Sequence, residues 1–153
     1  MELKFTVSAH IAKPAHEVFE AVADPASLSR YFTTGGAVGR LETGATVMWD
    51  FADFPGAFPV DVVEVEQDRR IVLRWTANER GENEKPDYKT EVVMEFKPLD
   101  DGRTLVTITE SGWRETQGGL ASSYGNCMGW SQMLCALKCW VERGFNLRDG
   151  MYV

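Results

Sequence analysis

The chain predicts an α+β fold: a curved antiparallel sheet of about six to seven strands wrapped around one long C-terminal helix, with two short helices after the first strand. Three observations carry this expectation. Residues 127–141, CMGWSQMLCALKCWV, hold only Ser131, Gln132 and Lys138 as clearly polar side chains, and no proline. A helix that is apolar nearly all round has to be enclosed. Residues 33–113 read as strand-length segments separated by turn residues, which implies hairpins rather than parallel crossovers. Such a sheet must bury one face, and the C-terminal helix is the long apolar element available, so the sheet is expected to curl around it.

The elements follow in order. Leu3, Phe5, Val7, Ala9 and Ile11 alternate with Lys4, Thr6, Ser8 and His10, the period of a half-buried strand. Pro14 opens a helix where its missing N–H does no harm, and Val18, Phe19 and Val22 give that helix one apolar face. Asp24-Pro25 repeats the signal, a cap followed by proline in the first helical position. It starts a short helix over residues 26–31 with Leu28 and Tyr31 inward. Gly35-Gly36 and Gly44 bracket a short strand. Residues 45–52 form a strand with Val47, Trp49 and Phe51 on one face, and Phe54-Pro55-Gly56 reads as a turn. Residues 60–66 and 71–77 follow as strands, the second with Ile71, Leu73 and Trp75 together. NERGENEKPD, residues 78–87, is expected to be a mobile polar hairpin loop. Residues 88–98 place Val92, Met94 and Phe96 opposite Glu91, Glu95 and Lys97. Asp101-Gly102 is a hairpin turn into the last strand, residues 105–111.

Composition narrows the function classes. The 153 residues are expected to form one domain spanning the whole chain. A net charge of −7, with no basic run longer than Arg69-Arg70, argues against a nucleic-acid or anionic-membrane partner. No segment reaches the roughly 18 apolar residues of a membrane span, and the N-terminus does not have the pattern of a signal peptide. Three cysteines, at 127, 135 and 139, are odd in number and lack CxxC spacing, which points to buried free thiols in a reducing cytoplasm. Cys135 and Cys139 are four apart on a helix, but His10 and His16 are the only imidazoles, so no metal and no cofactor are expected.

The usual catalytic signatures are absent: the glycines at 35, 36 and 39 fit neither a phosphate loop nor a dinucleotide fingerprint, and there is no HExxH or GxSxG. His10 falls on the polar face of a strand and His16 in the first turn of a helix, so both are expected at the surface. Glu110 is the one candidate for chemistry. If Val106 and Ile108 point inward, period two sends Glu110 inward as well, where it would be a general acid or base or a polar anchor for a ligand. The competing reading is that the strand twists or bulges near its end and Glu110 reaches solvent. Large rings are unusually many, and a curved sheet around a helix rarely fills completely. Trp49, Phe51, Trp75, Met94, Glu110, Trp113, Tyr124, Met128 and Trp130 are therefore the candidate lining of a ligand cavity. Gly118, Gly119, Gly125 and Gly129 interrupt the start of the long helix, either for close packing on the sheet or as a lid at the cavity mouth.

Four segments carry a family resemblance: IAKPAHEVFEAVADPASLSRYF, DVVEVEQDRRIVLRW, TLVTITESGW and GWSQMLCALKCWVERG. In this order they resemble the family of homologues of the activator of heat-shock-protein-90 ATPase, within the START-like (SRPBCC) superfamily. The resemblance runs from about Leu3 to Gly144. It implies the helix-grip fold shared with the birch-pollen allergen, with a cavity between sheet and helix. It further implies binding of a small hydrophobic molecule, aromatic, lipid-like or polyketide-like. Two alternatives accompany it: a cyclase- or hydrolase-like enzyme that uses Glu110, and a stress-response module that touches a chaperone. The activator that names the family carries a further N-terminal domain with no counterpart in these residues, which shifts the expectation from chaperone activation to ligand binding.

Overall fold

The computed structural model describes residues 1–79 and 88–152. Seven strands form one antiparallel sheet in the order β1-β7-β6-β5-β4-β3-β2. They are β1 (Lys4–Ile11), β2 (Gly36–Val38), β3 (Thr46–Phe51), β4 (Phe54–Glu66), β5 (Arg70–Thr76), β6 (Lys89–Pro98) and β7 (Thr104–Ser111). Strands β2 to β7 run as a meander, and β1 closes the far edge by pairing with β7. Two short helices, α1 (Ala15–Ala23) and α2 (Pro25–Leu28), link β1 to β2, and α3 (Gln117–Arg143) follows β7. This is the expected α+β helix-grip arrangement.

The local causes are visible in the residues. Val18, Phe19 and Val22 bury one face of α1. Asp24 caps α2 by accepting from the Ala26 N–H (3.3 Å) and the Ser27 hydroxyl (2.9 Å), with Pro25 in the first turn. Tyr31 lies just past α2, fully buried, and its hydroxyl donates to the Ala21 carbonyl at 2.8 Å. The sheet bends because register shifts fall between Trp49 and Phe51 on β3 and between Val62 and Glu64 on β4. Each adds local twist where the concave face must wrap.

Three expectations need correction. Phe54-Pro55-Gly56 is not a turn but the start of the 13-residue β4, whose exposed opening residues let a proline sit at the strand's beginning. The long helix starts at Gln117, in keeping with the expected glycines at its start, with Thr116 as its cap accepting from the Gly119 N–H at 3.0 Å. It is also enclosed on one side only: Trp130, Met133, Leu134, Ala136 and Leu137 are buried, while Tyr124, Met128, Ser131 and Cys135 face solvent. Cysteine and methionine counted as apolar in the sequence, yet single soft side chains are tolerated at a surface. The cysteines are free, as expected, but Cys135 is exposed and Cys127 and Cys139 are half-buried. The 78–87 loop lies outside the described residues except for Asn78 and Glu79. Among the described residues, no helix is long and apolar enough to cross a membrane.

The position of α3 decides where a site can form. Its C-terminal half rests on the start of the chain: Lys138 Nζ donates to the His10 carbonyl at 2.9 Å, and the Ala12 N–H donates to Glu142 at 3.2 Å. Gly144, with φ of +67°, then ends the helix and turns the chain back across its flank. Toward β3, β4 and β5 the helix stands farther off, and aromatic rings fill the interval.

Candidate functional site at Glu110

Strand β7 alternates without interruption, and Thr104, Val106, Ile108 and Glu110 all face the concave side. The strand stays in register with both neighbours to its end, with Phe5 opposite Glu110 on one side and Val92 on the other. No bulge lets Glu110 turn outward, and it is fully buried. The solvent-escape reading of this residue is therefore wrong. The chain leaves the sheet only at Gly112, whose φ of +105° suits glycine.

Five hydrogen bonds converge on the carboxylate from three elements. Trp75 Nε1 on β5 donates at 3.0 Å and the Thr90 hydroxyl on β6 at 2.7 Å. From α3, Trp130 Nε1 donates at 2.9 Å, and Asn126 Nδ2 reaches both oxygens at 3.1 Å. No cation is among these partners. Burial raises the Glu110 pKa above its ordinary value, and the four donors oppose that without cancelling it. The two indoles can only donate and so favour the anion, whereas the Thr90 hydroxyl could accept from a protonated Glu110. The carboxyl thus sits between a dry surrounding that favours the acid and a donor set that favours the anion.

Two of the donors, Trp75 and Trp130, belong to a cluster of rings. Phe32, Trp49, Trp75 and Trp130 close a cycle with centroid separations of 5.7, 6.0, 5.5 and 5.4 Å taken in turn. Phe51 and Phe58 extend it toward solvent, Phe51 at 5.0 Å from Phe32 and Phe58 at 6.0 Å from Trp75. Trp75, Phe51 and Phe58 are half-buried, whereas Trp49 is sealed, with its indole N–H lacking any acceptor. A buried donor without a partner costs about 1–3 kcal/mol.

The expected lining residues divide. Trp49, Phe51, Trp75, Glu110 and Trp130 come together here. Met94 is fully buried but sits between Ile71 and Ile108, further along the sheet. Trp113 packs on Phe5 at 5.6 Å, and its indole N–H is also unpartnered. Tyr124 and Met128 lie on the exposed face of α3, about 120° and 160° around the helix from Trp130 at 100° per residue. They do not join the cluster. Sequence reasoning left out Thr90, Asn126, Phe32 and Phe58. Two of these had a signal: period two aligns Thr90 with Val92 and Met94, and Asn126 is one turn before Trp130.

The α3 glycines serve two ends. A Cβ at Gly119 would overlap the Arg114 carbonyl, and one at Gly118 would come within 2.6 Å of Glu79, so these two permit close approach. Glu79 also accepts from the Thr116 hydroxyl (2.8 Å) and the Tyr88 hydroxyl (2.7 Å), tying the helix start to the end of β5. Gly125 and Gly129 have nothing within 4 Å of a built Cβ. One turn apart, they leave a shallow open flank beside Asn126 and Trp130.

Comparison with known proteins follows this geometry. SSP2350 from Staphylococcus saprophyticus has a similar structure, with a TM-score of 0.77 at 23% identity, over 95% of this chain and 96% of that one. DynU16, a protein of the dynemicin biosynthetic locus, matches with a TM-score of 0.75 at 24% identity, over 92% of this chain and 48% of its own. The Aha1 dimer of Colwellia psychrerythraea matches with a TM-score of 0.70 at 19% identity, over 92% and 97%. At such identities the likeness is one of fold. No curated protein matches at a significant level. The model of the family described as Activator of Hsp90 ATPase homolog 1-like protein covers residues 12–142, and the chain belongs to that family.

Proposed function

We propose that this protein binds a small, apolar, aromatic molecule at the ring cluster between α3 and strands β3 to β5, with Glu110 as its polar anchor. The observation that carries the reading is a buried carboxylate without a cation among its partners, held by five hydrogen bonds from four side chains, two of them indoles of a closed cycle of rings. Two features support it further. The Trp49 N–H has no acceptor, so a carbonyl or hydroxyl on a guest would satisfy it. Trp75 and Phe58 are half-buried, so the cluster is not wholly closed to an approaching guest. The similarity to a protein of the dynemicin locus makes polyketide-like aromatics the first compounds to try.

Titration with 2-naphthol, an anthraquinone and a medium-chain fatty acid, followed through the indole N–H signals of Trp49, Trp75 and Trp130, tests this. The aromatics should shift those signals saturably. The reading fails if none does so below about 1 mM, where binding is worth only about 4 kcal/mol.

A second reading has its own observation, the raised pKa of Glu110. A buried carboxyl with a raised pKa suits proton transfer to or from a bound molecule. Turnover of a bound aromatic that disappears in Glu110→Gln, while binding persists, would establish this role. The family's description also makes a chaperone a partner to test, by chemical-shift titration at low and high salt. The three free cysteines support a reducing cytoplasmic setting.

A further inference from the structure

A pocket of about 240 Å³ lies beside the Phe32 and Phe51 end of the ring cluster, between the α2–β2 link, the β3–β4 turn and the segment after α3. Ser29, Thr34, Asp53, Asn146, Arg148 and Asp149 are among the residues that line it. Arg148 is its centre. The side chain is only 9% exposed, and its guanidinium lies 5.4 Å from the Phe32 ring, 5.8 Å from Phe51 and 4.9 Å from Tyr152. Nη1 donates to the Phe32 carbonyl at 3.2 Å, and Nε is buried without a partner. No carboxylate among the described residues pairs with it.

An enclosed cation without a counter-ion is costly. Two carboxylates line the same pocket, Asp53 and Asp149, yet neither closes on Arg148 and both are exposed. The pocket therefore presents charges of both signs that do not neutralise one another. A simple anion would gain Arg148 but meet the two aspartates, and a simple cation would meet the reverse. A molecule with a carboxylate and an ammonium a few ångströms apart matches both. The volume is slightly under the 300–1,000 Å³ range of drug-sized sites, which restricts the guest to a small metabolite. We propose that this pocket is a binding site for a small zwitterion of the α-amino-acid class. Its carboxylate pairs with Arg148 and its ammonium with Asp53 or Asp149. The hydroxyls of Ser29 and Thr34 and the Asn146 amide supply the remaining polar contacts.

The inference is independent of the role given to Glu110. Its test is a chemical-shift titration of the full chain with L-alanine, acetate and methylammonium, read at the Arg148 Nε–H and the Gly150 amide. L-alanine should shift both signals saturably, at least about tenfold more tightly than acetate or methylammonium, the equivalent of about 1.4 kcal/mol for the second charge. The double variant Asp53→Asn, Asp149→Asn, at two exposed positions, should bring L-alanine closer to acetate, and Arg148→Gln should abolish both. If Arg148→Gln does not fold, the double-variant comparison still decides. The proposal is overturned if about 10 mM L-alanine leaves both signals unmoved, or if acetate binds as tightly as L-alanine.

Discussion

Phe32 and Trp130 stack face to face, 5.4 Å apart with planes 28° from parallel. Trp130 donates its indole N–H to Glu110, and Phe32 carries the Arg148 guanidinium against its ring. Among the described residues, the two buried side chains of charged type, Glu110 and Arg148, thus contact opposite members of a pair of rings.

Removing the Glu110 side chain should leave two indole N–H groups, a hydroxyl and an amide without their acceptor. Glu110→Ala is expected to lower unfolding free energy by about 3 kcal/mol or more in urea denaturation. Glu110→Gln keeps the shape and one acceptor oxygen but turns a second donor toward donors. It should cost less, about 1–2 kcal/mol. Equal losses for the two variants would mean that the carboxylate's hydrogen bonds contribute little.

The pH dependence of Glu110 has the opposite sign to that of ordinary surface carboxylates. Its folded pKa is raised above 4.5, so the folded state holds the proton more tightly than the unfolded chain. Its contribution is greatest below 4.5 and is lost as pH rises through the folded pKa. Glu20, Asp61, Glu79 and Glu142 are lowered by their hydrogen-bonding partners and behave conventionally, losing their contribution as pH falls. Subtracting the stability curve of Glu110→Gln from that of the parent isolates the Glu110 term. The difference should decline from pH 4 toward neutrality, and a flat or rising difference would contradict the burial argument.

Much of the fold was legible in the chain, and the reason is period. The strict alternation of β1 and β7, the turn at Asp101-Gly102 and the Asp24-Pro25 cap each constrain a local conformation that the whole structure keeps. Glu110 was reachable by the same alternation. What could not be read was which side of α3 faces the sheet. Tyr124 and Met128 are as apolar as Trp130, and only the positions of β1 and the Gly144 turn decide that Trp130 points in. Phe32 and Arg148 were equally out of reach, because they meet through the returning segment after α3, more than 100 residues apart in sequence.

The α3 glycines should separate under substitution. Gly125→Ala and Gly129→Ala meet open space and are expected to raise stability by about 0.5–1 kcal/mol each. Gly119→Ala forces a methyl group into the Arg114 carbonyl and should destabilise by about 1–3 kcal/mol. Thermal unfolding of the three variants gives the answer.

His16 Nδ1–H donates to the Asp68 carboxylate at 2.9 Å, and Asp68 holds the His16 pKa above 6.5. An NMR titration should place the His16 midpoint above that value and return it close to 6.5 in Asp68→Asn. Because the raised pKa favours the charged form in the folded state, the pair contributes below 6.5 and fades as pH rises through the folded value. At this exposed position the effect on stability should be small.

The separation between α3 and strands β3 to β5 is spanned by side chains alone. Backbone position therefore does not set the size of the interior; ring volume does. Replacing Trp75 or Phe58 with a smaller residue would open room without moving a strand. Descendants of such a scaffold can exchange one guest for another by single substitutions, with the hydrogen-bonded frame left as it is.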